Sequence, residues 1–283
     1  MSHERIEVKP IAGACGAEVF GVDLSKPLDD RAFAEVKKAF LDHQVIFFRD
    51  QDITEDQHKE FGRRFGTLNI HPRYLPLEGH PEIFPIRKEP EHSKNVGGVW
   101  HQDLTHLSEP PLGSILYALE VPPAGGDTMF ANQYLAYEAL SDGMKGMLSE
   151  MTAMHDNRIQ SNKVAAERNA ERASKLRVDN QEDEPECEHP VVITHPDTGR
   201  KALFVNIIRT HRFAGMTEDE SRPLIRYLCE HATRPEFTCR FRWRKGSIAF
   251  WDNRCVMHYA LNDYHGYRRY MNRVTVNGAR PVA

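Results

Sequence analysis

The stretch Ser247-Ile-Ala-Phe-Trp-Asp-Asn-Arg254 opens on a run of apolar and aromatic residues, the pattern of a strand buried on both faces. Further on, Arg268-Arg-Tyr-Met-Asn-Arg-Val-Thr-Val276 reads as a strand of a different kind. Successive side chains of a strand point to opposite faces, so Arg269, Met271 and Arg273 share one side. Arg268, Tyr270, Asn272, Val274 and Val276 share the other. From Gly113 onward the chain predicts further strands at Gly113 to Leu119, Thr128 to Ala131, Val191 to Thr194, Ala202 to Asn206 and Phe237 to Trp243. Turn residues separate them, which predicts a sandwich or barrel.

The N-terminal part mixes strands and helices. Ile6 to Lys9 and Ala17 to Val22 predict short strands, and Gln44 to Arg49 a buried one. Asp29 to Asp42 predicts an amphipathic helix, with Phe33, Val36 and Phe40 at helical spacing. Thr54-x-x-Gln57 and Thr217-x-x-Glu220 are capping boxes that open two more helices, one stopped by Gly66 and the other running to Ala232. Pro223 predicts a kink or a later start in the last of these.

The chain has 283 residues, 40% hydrophobic and 28% charged, which suits one elaborated domain over residues 1–283. No apolar run approaches the roughly 18 residues of a spanning helix. Met1 to Lys9 has no apolar signal segment, so no membrane partner and a cytoplasmic location are expected. Thirty-seven basic against 41 acidic residues give a net charge of −4, a poor match to nucleic acid. The five cysteines, at 15, 187, 229, 239 and 255, form no CxxC, against a disulfide framework or Cys-rich zinc site. Within residues 157–189, 14 of 33 are Asp, Glu, Lys or Arg and five are strongly apolar. That composition predicts a solvated insertion, helical over Lys163 to Leu176, or a lid.

Fifteen histidines raise the question of a shared site. Trp100-His-Gln-Asp103 presents an imidazole and a carboxylate side by side if it is a strand. Alone it reads better as a surface pair, and a metal site needs a third ligand from elsewhere. His258, beyond the buried strand, is the candidate third member. Two histidines and one carboxylate make the facial triad of non-haem Fe(II) oxygenases, with open coordination positions. Arg269 and Arg273 read either as salt-bridged residues or, beside such a triad, as grips for small anions. Gly125-Gly-Asp-Thr128 is a turn entering a strand, with Thr128 available to share a carboxylate with Arg269.

Taken together, the chain resembles the taurine dioxygenase (TauD/TfdA) family of Fe(II)- and 2-oxoglutarate-dependent dioxygenases. The likeness runs from about Ile6 to Gly278. It is carried by His43-Gln-Val-Ile-Phe-Phe-Arg-Asp-Gln51, Phe65-Gly66, Ile70-His-Pro-Arg-Tyr74, Trp100-His-Gln-Asp103, Gly125-Gly-Asp-Thr128, Thr194-His-Pro196, Ala202-Leu-Phe-Val-Asn206, Trp251-Asp-Asn-Arg254 and His258-Tyr-Ala260. The resemblance implies a mainly β fold with flanking helices, the cupin-like jelly roll or double-stranded β-helix. It implies that His101, Asp103 and His258 bind Fe(II), and that Arg269 and Thr128 hold the distal carboxylate of 2-oxoglutarate. It further implies that O2 is consumed and that 2-oxoglutarate leaves as succinate and CO2.

Residues matching His71, Tyr74 and Arg273 surround the sulfonate in the taurine-acting members. Two positions depart: Gly97 stands where those enzymes carry an Asn that meets the amine, and His106 where they carry a Phe. The expected substrate is therefore a small anion that need not bear an amine: an alkylsulfonate or sulfate, taurine-like or bulkier, or alternatively an aryloxyalkanoate. A homo-oligomer, dimer or tetramer, is expected. Two other classes use the same ligands, a zinc hydrolase and a non-catalytic metal-binding β-barrel; neither needs the Thr128–Arg269 clamp.

Overall fold

The computed structural model describes residues 6–157, 167, 169, 171–176 and 186–283. The insertion or lid expected at 157–189, with its helix, falls mostly outside those residues. The strands are β1 (Glu7–Pro10), β2 (Ala17–Phe20), β3 (Val45–Phe48), β4 (Ile83–Lys88), β5 (Gly113–Glu120), β6 (Thr128–Asn132), β7 (Thr152–His155), β8 (Cys187–Pro190), β9 (Val192–Thr194), β10 (Lys201–Leu203), β11 (Thr210–Phe213), β12 (Thr238–Phe241), β13 (Ile248–Asp252), β14 (Val256–Ala260) and β15 (Arg269–Val276). The helices are α1 (Asp30–His43), α2 (Glu55–Arg63), α3 (Gln133–Glu138), α4 (Asp142–Ser149) and α5 (Glu218–Ala232).

Seven strands form the main sheet, in the order β1-β2-β3-β13-β5-β15-β4, antiparallel except between β2 and β3. Smaller sheets, β12-β6-β14, β11-β7-β8 and β10-β9, lie over it. The double-sided burial read from Ser247 to Trp251 has a concrete cause. Ala249 and Trp251 pack inward with Phe47, Phe130, Phe241 and Met271. Ile248 and Phe250 pack outward with Phe40 and Phe61 of α1 and α2, the Phe40 and Phe250 rings stacking at 4.1 Å. The site sits at one end of the inner, jelly-roll layer.

Local chemistry sets the helix starts. The Asp29 side chain accepts from Ala32 N at 2.7 Å, and both capping boxes form. The later start suggested by Pro223 does not occur; the Thr217–Glu220 box begins α5 at Glu218 and Pro223 lies inside the helix. The strand expected over Ala202 to Asn206 stops at Leu203, because Asn206 turns to its own loop: its Oδ1 accepts from Arg209 N at 3.1 Å and its N–H donates to Thr210 Oγ1 at 3.1 Å. Strand β4 escaped the sequence pattern because Pro85 interrupts it. Proline is tolerated there since β4 is the edge of the main sheet. No helix among the described residues is long and apolar enough to cross a membrane.

Candidate active site

His258 lies on β14, opposite Phe130 of β6. Its backbone makes one isolated antiparallel bridge to His101, with His258 N–His101 O at 2.9 Å and His101 N–His258 O at 3.1 Å. This corrects the reading of Trp100 to Asp103 as a strand. Only His101 is paired, and the chain then turns, with Leu104 at φ 49°. Asp103 is set in place by Asn253, which meets its backbone N–H at 2.6 Å and its carbonyl at 2.9 Å.

The ligand-capable atoms of His101, Asp103 and His258 lie within 4.8 Å of one another. Asp103 Oδ1 is 3.7 Å from His101 Nε2 and 3.8 Å from His258 Nε2. His101 Nδ1–H donates to Val99 O at 2.7 Å, which leaves Nε2 as a lone-pair donor toward the centre. Burial lowers the basicity of both imidazoles, so they are neutral, as metal ligands must be. Burial alone pushes the Asp103 carboxyl up, but Arg273, His258 and His101 outweigh it and hold it ionised well below the usual range. Asp103 Oδ2 is occupied by Arg273 Nη2 and by Ser114 Oγ at 3.2 Å. The donor set fits a divalent metal: two neutral nitrogens and one anionic oxygen face a common point.

Arg269 and Arg273 both face the inner layer, as alternation predicted. Arg269 is 4% exposed, and its Nε and Nη2 are buried without a hydrogen-bond partner. Its guanidinium lies 5.7 Å from the centre of the Trp243 ring, and burial lowers its pKa. Trp243 Nε1 also donates to Thr128 Oγ1 at 2.9 Å, so the Thr128 hydroxyl hydrogen is directed elsewhere. A desolvated cation with unused donors fits a carboxylate, since burying it unpaired is costly.

A cavity of about 390 Å³ opens beside this centre. His71, Tyr74, Gly97, His106 and Arg273 all line it, so the five residues expected around a substrate come together. His71 Nδ1 accepts from the N–H groups of Arg73 and Tyr74, both at 3.1 Å, leaving its Nε2–H to face the cavity. Burial, then the neighbouring Arg273, pulls the His71 pKa down to about 3. The Tyr74 ring stacks on Phe84 at 5.0 Å, and Arg273 lies 5.2 Å from the Phe84 ring centre. Arg273 Nε donates to Thr275 Oγ1 at 3.3 Å and Nη2 to Ser114 Oγ at 2.6 Å. His106 is 3% exposed and turned inward. Gly97 has φ +81°, and a Cβ there would come to 3.4 Å from His101 Cε1. The positive φ would strain most side chains at 97, and a Cβ there would lie in van der Waals contact with a triad member.

Several lining residues had no sequence signal. Phe84 sits on the Pro-broken edge strand, Arg172 in the charged insertion and Arg209 in the turn between β10 and β11. Two further groups of potential metal ligands exist among the described residues. In the first, His195 Nε2–H donates to Asp252 Oδ2 at 3.0 Å, and Arg254 grips both Asp252 oxygens at 2.8 and 2.7 Å. Its polar atoms are spent on one another, and it acts as an internal clamp. In the second, His211 lies between Asp156 and Glu186, with Arg212 also on Glu186.

Comparison with known proteins agrees with this geometry. Residues 7–275 match the model of the taurine catabolism dioxygenase TauD, TfdA family. An alkylsulfatase of Acinetobacter baylyi is 34% identical over 97% of this chain and 86% of its own length. An alpha-ketoglutarate-dependent sulfate ester dioxygenase of Pseudomonas putida is 34% identical over 98% of this chain and 91% of its own. The crystal structure of a taurine dioxygenase from Burkholderia xenovorans superposes with a TM-score of 0.82 at 37% identity, covering 98% of this chain and 93% of that one. Fold, site and sequence agree: the chain belongs to the TauD/TfdA family of alpha-ketoglutarate-dependent dioxygenases.

Proposed function

We propose that this enzyme hydroxylates the carbon next to the sulfur-bearing group of an organic sulfate or sulfonate, so that the product collapses and releases the inorganic sulfur anion. His101, Asp103 and His258 would hold Fe(II), and Arg269 with Thr128 the distal carboxylate of 2-oxoglutarate. When bound, iron and 2-oxoglutarate supply the oxidising power, with O2 consumed and succinate and CO2 formed.

The chain's own residues do the rest. Arg269 and Thr128 set the co-substrate's orientation. His71, Tyr74 and Arg273 take the substrate anion, with the His71 Nε2–H donating as a neutral group. Arg273 Nη1 makes no hydrogen bond among the described residues, while Nη2 and Nε are committed to Asp103, Ser114 and Thr275. One guanidinium thus links the substrate anion to the triad carboxylate. Phe84, Val96 and Leu104 exclude water from the reacting carbon and hold it in place.

The observation that carries this reading is Arg269, a buried guanidinium with two unused donor atoms behind a ready His/Asp/His set. The relatives' action on sulfate esters and the absence of an amine-binding side chain at Gly97 support a sulfur anion without an amine. The test is succinate formation across alkyl sulfates, alkylsulfonates, taurine and aryloxyalkanoates, with release of sulfate, sulfite or phenol measured in parallel. Efficient turnover of an amine-free sulfate or sulfonate is expected. Turnover of taurine alone, or a best substrate without charge, would overturn it.

A further inference from the structure

We propose that Arg172 and Arg209 form a second anion subsite at the mouth of the substrate cavity, and that the substrate carries a carboxylate at the end away from its sulfur anion. The inference rests on the sulfur-anion reading above and extends it to the other end of the molecule.

The cavity has two differently built ends. Arg273 is rooted in the main sheet beside the triad and is 6% exposed. Arg209 is rooted in the turn between β10 and β11, next to Ile207, which is 46% exposed, so this turn forms the rim. Arg209 is braced there: its N–H donates to Asn206 Oδ1 at 3.1 Å and its Nη1 to Asn157 Oδ1. Bracing lowers the entropic cost of using a long side chain as a fixed donor.

Arg172 lines the same cavity and is the independent observation. Its guanidinium makes no hydrogen bond or ion pair among the described residues, and its Nε is sealed from solvent without a partner. Arg172 as a whole is partly buried, so this Nε is a sealed donor that an anion entering the cavity can satisfy. Among the described residues the one carboxylate in the lining is Asp103, which belongs to the triad and whose Oδ2 is taken by Arg273 and Ser114. The same cavity also carries apolar side chains at Val96, Leu104 and Ile208. A cationic floor, an apolar wall and a cationic rim match a molecule that is anionic at both ends with a hydrocarbon spacer. A carboxylate suits the planar fork of an Arg donor pair.

The experiment compares n-hexyl sulfate with sulfooxyhexanoate, its carboxylate-terminated counterpart, by succinate and sulfate release in the Fe(II)- and 2-oxoglutarate-loaded enzyme. Wild type is expected to favour the carboxylate-terminated ester by about tenfold or more in kcat/KM, mainly through KM, as one charge-assisted contact predicts. Arg172→Met and Arg209→Met should each move that ratio toward one, and Arg209→Lys should retain more of it than Arg209→Met. A wild-type ratio at or below one overturns the subsite without any variant. So does a ratio that both methionine variants leave unchanged. If n-hexyl sulfate is turned over without a gain from the carboxylate, only the subsite falls. If no sulfate or sulfonate is turned over at all, the sulfur-anion reading falls and the subsite with it.

Discussion

Asn253 brackets Asp103, its Oδ1 accepting from the Asp103 N–H at 2.6 Å and its Nδ2 donating to the Asp103 carbonyl at 2.9 Å. The same Nδ2 reaches Pro111 O at 3.2 Å, and Asn253 is fully buried. Its neighbour Asp252 is locked by His195 and Arg254. The Asp252–Arg254 turn therefore positions a triad residue some 150 positions earlier in the chain.

Replacing Asn253 should loosen that positioning. Asn253→Ala leaves a buried N–H and carbonyl unsatisfied, at a cost of about 1–3 kcal/mol for each group. Supporting residues of this kind typically alter metal affinity by about 10–100-fold. Iron titration and thermal unfolding should show both losses. Iron affinity equal to wild type would show that the turn holds Asp103 without it.

His258→Ala removes one of three ligand atoms that converge within 4.8 Å. Iron stoichiometry should fall from one per chain toward zero, and succinate formation with it. Retention of both would place the metal elsewhere.

Arg269 yields two opposed effects. Arg269→Ala removes the partner of the distal carboxylate. At about 2–5 kcal/mol, this should raise the 2-oxoglutarate requirement by roughly 30-fold or more. Arg269→Met should also make the unliganded protein more stable, because it removes a buried cation with orphaned donors. Thermal melting without ligand and a 2-oxoglutarate titration separate the two. A normal titration would remove Arg269 from the clamp.

His58 gives a stability prediction away from the site. It is 1% exposed, its Nε2–H donates to Ile115 O at 3.2 Å, and burial lowers its pKa to about 4. The unfolded chain protonates near 6.5 while the folded one does not. The stabilisation is therefore complete above that value and is lost as pH falls toward 4. The loss is about 3 kcal/mol across that window. His58→Gln should reduce the slope of stability against pH between 6.5 and 4 by close to one proton. An unchanged slope would show that His58 already titrates normally.

Wherever a feature depended on neighbours in the chain, the residues alone determined it. Alternation placed Arg269 and Arg273 on one face of β15, and the capping boxes started α2 and α5. Both follow from backbone periodicity and short-range hydrogen bonds. The family resemblance supplied the triad and the cavity residues His71, Tyr74, Gly97 and His106, because those motifs are short and ordered. What needed the folded chain were contacts between distant segments. Trp243 aligning Thr128 and Arg269, Asn253 holding Asp103, and Arg172 and Arg209 lining one cavity join segments that no local pattern connects. The HxD motif shows the boundary most clearly. Its two side chains converge with His258 not because Trp100 to Asp103 is a strand, but because one bridge to β14 and one Asn side chain hold a turn in place. Such contacts are set by packing of the two layers, where a single buried hydrogen bond outweighs local preference.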